Sequence, residues 1–161
     1  MRPLPSLPQL LLAGAVAFCG CARNLTPSVP PLSDRDAVVA AAIRCAAAQP
    51  RPRCGQGPPL QSRTRVVIDT GGEHVSAQAL PESDSVQYVL LSRKEIWALA
   101  DANGDFVFIG VGRPRVVGDS AEIGVQTEWA RHDTGWRFCD SVFIRHNGEW
   151  IFAHPGHCIA I

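Results

Sequence analysis

Lysine is nearly missing from this 161-residue chain: Lys94 is the only one, and the other Lys/Arg cations are all arginine. With the abundant proline and alanine, that scarcity looks like a GC-rich coding bias rather than a functional choice. Net charge is lacking too, at a formal value of zero. A balanced chain has no excess to attract nucleic acid or an anionic membrane, and no acidic tail is present. No apolar run approaches the roughly 20 residues that span a bilayer, so a permanent transmembrane helix is not expected. Internal repeats are absent, as is any phosphate-binding loop, because Gly110-Val111-Gly112 runs into Arg113-Pro114 and not into a helix. No nucleophile motif accompanies the acids and histidines. Neither a cofactor nor a metal is expected.

What is present begins at the N-terminus. Arg2 is followed by Pro3, Pro5 and Pro8, then by an apolar run from Leu10 to Phe18. A positive n-region before a short h-region is the pattern of a secretory signal. It ends in Phe18-Cys19-Gly20-Cys21, which resembles the lipobox of bacterial lipoproteins. That resemblance implies cleavage after Gly20, diacylglycerol (palmitate-type) modification of Cys21 and anchoring to a membrane facing the periplasm. Ala22 after the cysteine, in place of Asp, implies the outer membrane. Phe18 and Cys19 depart from the Leu and the Ala or Ser usual in that family. Ordinary cleavage to a soluble periplasmic protein is the rival expectation. The stretch after Cys21 carries Pro27, Pro30 and Pro31 among small polar residues. Polyproline geometry at ~3.1 Å per residue would give a tether of roughly 30 Å. The expected organisation is a signal over 1–20, a lipidated cysteine with its tether over 21–32, and one domain over 33–161.

The domain keeps four cysteines, Cys45, Cys54, Cys139 and Cys158. An even number in an exported chain points to disulfides, with three pairings open at this stage. Ser33 caps a helix whose Val38, Val39, Ala42, Ile43 and Ala46 recur at helical spacing, and Pro50 and Pro52 end it. Strands are expected over Arg65–Asp69, Val75–Leu80, Val86–Leu91 and Phe106–Val111, with a Gly71-Gly72 turn after the first. Ser92-Arg93-Lys94-Glu95 is a capping box opening a short helix that buries Ile96 and Leu99. Asp101-Ala102-Asn103-Gly104-Asp105 is read as a turn, since Phe106 stands where a calcium loop needs glycine. Ala121–Trp129 alternates as a half-buried strand. Arg137–Arg145 and Trp150–Ile161 flank Asn147-Gly148, a strong hairpin signal.

This order predicts an α+β fold, an N-terminal helix packed on a curved antiparallel sheet that ends in a β-hairpin. The helix at Ser92–Ala100, the strand with Asp119-Ser120-Ala121 and the Asn147-Gly148-Glu149-Trp150 turn resemble small exported bacterial domains of unknown function. Those are similar in outline to cystatin-like and NTF2-like folds, and the resemblance supplies no catalytic residues.

The hairpin turn sets His146 opposite Glu149. Counting back places Cys139 and Cys158 as diagonal neighbours at ~7–8 Å, slightly long for a disulfide unless Pro155-Gly156 kinks the strand. Cys45–Cys54 is then the remaining pair. The same register puts Asp140 and His157 on one side and His154 on the other, and general acid–base chemistry by an Asp140–His157 pair is the enzymatic alternative. His154-Pro155-Gly156-His157-Cys158 is unsuited to a metal, because residues three apart on a strand face opposite ways. Phe143, Trp150 and Phe152 share a large apolar face, which is either a partner surface or cover for the first helix. The functional expectation is a lipid-anchored envelope protein that works as a binding or accessory module. Its expected partners are the membrane and an envelope protein, not nucleic acid.

Overall fold

The computed structural model describes residues 32–48, 54–62, 64–71, 75–131 and 137–160. The chain divides into two compact units, Met1–Pro30 and Pro31–Ile161, and the fold below is that of the second. The signal segment, Cys19, Cys21, the tether prolines, Pro50, Pro52 and Gly72 all lie outside the described residues. Among the described residues no helix is long and apolar enough to cross a membrane.

Helix α1 (Asp34–Ala47) starts where Ser33 Oγ accepts from the Asp36 backbone amide at 3.2 Å, a cap that satisfies one of the free N-terminal donors. The expected apolar stripe is buried, and so are Ala40 and Ala41 beside it. That extra burial comes from the segment around Val75 and Ala79, which joins the same core, while Ser76 Oγ donates to Asp36 Oδ1 at 3.2 Å. The segment was expected as a strand. It forms a single 3₁₀ turn, Ala77–Ala79, and its alternating small residues fill the gap over the helix instead of pairing.

The fold is α+β, with two α-helices and seven strands among the described residues: β1 (Arg65–Asp69), β2 (Gln87–Leu91), β3 (Val107–Val111), β4 (Arg115–Val117), β5 (Ser120–Trp129), β6 (Arg137–His146) and β7 (Glu149–Ala160). They lie in the order β2-β1-β3-β5-β6-β7, with β4 also on β5. The expected all-antiparallel sheet is corrected here, because β1 runs parallel to both β2 and β3. The connection through the Ala77–Ala79 turn returns the chain from β1 to β2, and helix α2 (Arg93–Asn103) carries it from β2 back across the sheet to β3. Asp101 and Asn103, read as turn residues, are its last turn, and the chain leaves it at Gly104 with φ of +88°. Leu99 is half-buried, and Ala100 joins Ile96 as its buried contact.

The two faces of the sheet are covered unequally. Val66, Ile68, Ile109, Val111, Ala121, Ile123, Phe143 and Trp150 pack with α1 in the main core. On the opposite face, α2 buries Ile96 and Ala100 in a smaller cluster with Val67, Phe108 and Ala130, edged by Leu91 and Phe106.

Beyond Gly124, β6 no longer pairs with β5. The strip Gly55-Gln56-Gly57-Pro58 takes over that edge: Thr127 donates its amide to Gln56 O at 2.9 Å and its hydroxyl to Pro58 O at 2.6 Å. A side chain at Gly55 or Gly57 would run into the Val125 or Thr127 carbonyl, and both glycines have positive φ. Cys54 lies within bonding distance of Cys45 on α1, which fixes the start of the strip.

Candidate functional site

The three aromatic residues expected to form a partner surface do not form a free one. Phe143 and Trp150 are 1% and 6% exposed in the core under α1, so the alternative of helix cover applies to them. Phe152 is half-buried at the margin and meets Phe143 edge-on at 5.9 Å between ring centroids. What remains open is the margin itself. A cavity of about 330 Å³ lies between α1 and β7, lined by Ala41, Arg44, Cys45, Ala48, Phe143, Trp150, Ile151 and Phe152.

Arg44 is the hinge of this surface. It also lines a second depression of about 310 Å³ with Leu32, Ala37, Ala40, Gly148, Glu149 and Trp150. A third, of about 390 Å³, adds Ala47, Leu60, Ser62, Val66, Val86 and Tyr88. Burial pushes the Tyr88 phenol up, and the positive Arg44 works against that shift. Arg44 sits in the last turn of α1, where a cation complements the helix dipole. It is exposed, and among the described residues no ion pair is seen for it. Arg44 therefore lines all three depressions, and the α1–β7 groove carries its positive charge on an otherwise apolar wall. Such a groove suits a ligand with apolar groups and a carboxylate.

Arg145, in contrast, has carboxylate partners. It pairs with Asp34, and its guanidinium lies 4.7 Å above the Trp150 ring. The Asp34 hydrogen bond and the Asp34 and Asp119 charges hold its pKa above the ordinary value, against desolvation.

Asp140 and His157 come closer in register than the turn alone implied, without bonding. Two register shifts move β7 along β6, so that Val142 faces His154, Ser141 faces Pro155 and Cys139 faces Cys158. Gly156 and His157 therefore both fall across from Asp140 in a bulge, and Asp140 presses against Gly156. His154, expected on the other side, shares the Asp140 face through Val142. Asp140 is half-buried and His157 exposed, and among the described residues no hydrogen bond or ion pair joins them. His154 Nδ1 instead lies 2.7 Å from Pro155 O. No group of three or more His, Cys, Asp or Glu suited to a metal occurs among the described residues.

A second polar centre went unforeseen. Asp69 ends β1 at 6% exposure and accepts from Gly71 N at 3.1 Å. Arg93 bridges it at 2.8 Å to Glu128 at 2.9 Å and lies over the Phe108 ring. Gln126 Nε2 adds a hydrogen bond to Glu128. Desolvation opposes the charge on Arg93, but Glu128 and Asp69 outweigh it and hold its pKa above the ordinary value. One signal was available in the sequence: an arginine at the first position of a helix opposes the dipole and calls for a nearby carboxylate. Because Arg93 is saturated by its two partners, this centre reads as a clamp between α2 and the sheet.

No family model, curated protein or solved structure matches this chain.

Proposed function

We propose that the protein is a lipid-anchored cell-envelope module, held by Cys21 on a membrane facing the periplasm, that works by binding an envelope partner. The observation that carries the binding role is the α1–β7 groove with Arg44 on its wall. Phe152 offers apolar contact along it, and Arg44 selects an acidic group on the incoming segment. The secretory n- and h-regions and the Phe18-Cys19-Gly20-Cys21 sequence support the anchor, with outer-membrane sorting following from Ala22. The Cys45–Cys54 and Cys139–Cys158 pairs fit an oxidising compartment. A helix laid on one face of a broad sheet supports a likeness in outline to cystatin-like and NTF2-like folds, and the parallel β1, β2 and β3 set the fold apart from a simple meander.

The test uses intact envelopes. A photo-crosslinking residue at Phe152 is compared with one at Trp97, which is exposed on α2 away from the groove. The binding role requires an adduct from position 152 that is absent from position 97 and lost in Arg44→Glu. Equal adducts from both positions, or none from 152, sink it. Mass spectrometry of the mature N-terminus decides the anchor separately: an unacylated terminus at Ala22 or later removes it, and Cys21→Ser, unlike Cys19→Ser, abolishes acylation.

A further inference from the structure

Three of the large apolar side chains most exposed among the described residues stand in one line. Val117, Ile144 and Ile151 are 69%, 41% and 43% exposed. Val117 pairs with Ser120, Ser120 with Ile144 and Ile144 with Ile151, so the line is a single cross-sheet row over β4, β5, β6 and β7. Alternation along β5 puts this row on the face that α2 covers, on the half that α2 does not reach.

We infer that this row rests on the surface of the bilayer to which the chain is tethered, at the boundary between headgroups and acyl chains. The inference stands on the lipid-anchored reading above and adds to it an orientation of the domain. Chain length is the first argument. Only the twelve residues Ala22–Ser33 separate Cys21 from α1. Fully extended, at ~3.3–3.6 Å per residue, they reach no more than roughly 40 Å. Leu32 is 44% exposed and lines a depression with Gly148 and Glu149 at the β6–β7 turn, so the tether enters beside the end of the strands that carry the row.

Chemistry is the second argument. The row holds aliphatic side chains and one hydroxyl, with no ring to anchor in a protein pocket. Three such side chains are far short of the ~800 Å² per partner of a standard protein interface. They suffice as a second, weak contact beside a covalent anchor, the combination that holds peripheral proteins firmly. The neighbouring rows are His146 with Glu149, and Arg115 paired to Glu122 at 2.9 Å. The Arg115 and Glu122 charges cancel and Glu149 adds a negative one, so the surface fits zwitterionic headgroups and not anionic ones.

The experiment uses the mature acylated chain reconstituted in phosphatidylethanolamine/phosphatidylcholine vesicles whose acyl chains carry bromine near the headgroup. Ile144→Trp places a reporter in the row, and Gln78→Trp places one on the exposed 3₁₀ turn beside α1, on the other face of the sheet. Near-ultraviolet circular dichroism confirms that both are folded. The bromolipid should quench most of the emission added at position 144 and none of that added at 78. Val117→Ser with Ile151→Ser should relieve the quenching at 144. An acylated chain whose reporter at 144 is unquenched, or quenched no more than at 78, overturns the docking and leaves the anchor standing. An unacylated N-terminus in the same sample overturns both. A dimer in sedimentation that the two serine changes abolish assigns the row to a second copy of the chain and also overturns the inference.

Discussion

Arg93 joins two carboxylates that are distant in sequence, reaching Asp69 at 2.8 Å and Glu128 at 2.9 Å. The pair with Asp69 is nearly closed to water on the acid's side, with side-chain exposures of 41% for Arg93 and 8% for Asp69. Arg93→Met keeps the stem over Phe108 but leaves that carboxylate without its cation. Discounted for the exposed guanidinium, the cost should be about 1–3 kcal/mol. Adding Asp69→Asn should recover part of it, because the uncompensated charge is gone. Urea midpoints of the two variants check this, and a double variant less stable than Arg93→Met refutes the clamp.

Gly57 and Thr127 form the tightest approach in the loop that replaces β6 on the edge of β5. Gly57→Ala puts a methyl onto the Thr127 carbonyl at a φ of +128°. Destabilisation of about 2–4 kcal/mol is expected. Thr127→Val removes only the hydroxyl that serves Pro58 O and should cost about 1–2 kcal/mol. Should the alanine variant melt with the native protein, the strip does not lie on β5.

Glu95 supplies the pH dependence. Its carboxylate accepts from Ser92 Oγ and Ser92 N, both at 2.7 Å, and these bonds hold its pKa below the ordinary 4.5. A depressed acid contributes stability that is present above the unfolded pKa and lost as pH falls through the folded one. The gap in melting temperature between the protein and Glu95→Ala should therefore be full at neutral pH and shrink on acidification below the ordinary carboxylate range. A gap independent of pH excludes the charged capping box.

Cys139 and Cys158 close the outer part of the β6–β7 ribbon. Non-reducing peptide maps should yield Cys139–Cys158 and Cys45–Cys54. Replacing the first pair by alanine should cost about 3 kcal/mol in the chain-entropy account of a 19-residue separation. Four free thiols in protein recovered from the periplasm defeat both pairings.

Asp140→Asn keeps the shape of the residue in the bulge and removes its charge. Melting should move by only a few degrees, as for a half-buried residue outside the core. An envelope activity that falls on the order of 10²–10⁴-fold at unchanged melting temperature favours the acid–base alternative with His157.

The sequence by itself determined the local features: the caps at Ser33 and Ser92, the apolar stripe of α1, the Asn147-Gly148 turn and the strands on either side of it. Each is set by residues within one or two turns of chain, through periodicity, side-chain caps and positive-φ positions. Tertiary structure alone decided the rest. Parallel pairing of β1 with β2 and β3 depends on where the Ala77–Ala79 connection and α2 deposit the chain, which no strand's own composition records. The slip that sets Cys139 across from Cys158 comes from two added residues in β7, and a bulge carries only a weak mark in sequence. Which face of the β6–β7 ribbon is covered was open while both carried large apolar groups. Helix α1 takes Phe143 and Trp150 because packing rewards the face that meets the most apolar surface, and the row with Ile144 and Ile151 stays bare because α2 is spent on Val67 and Phe108.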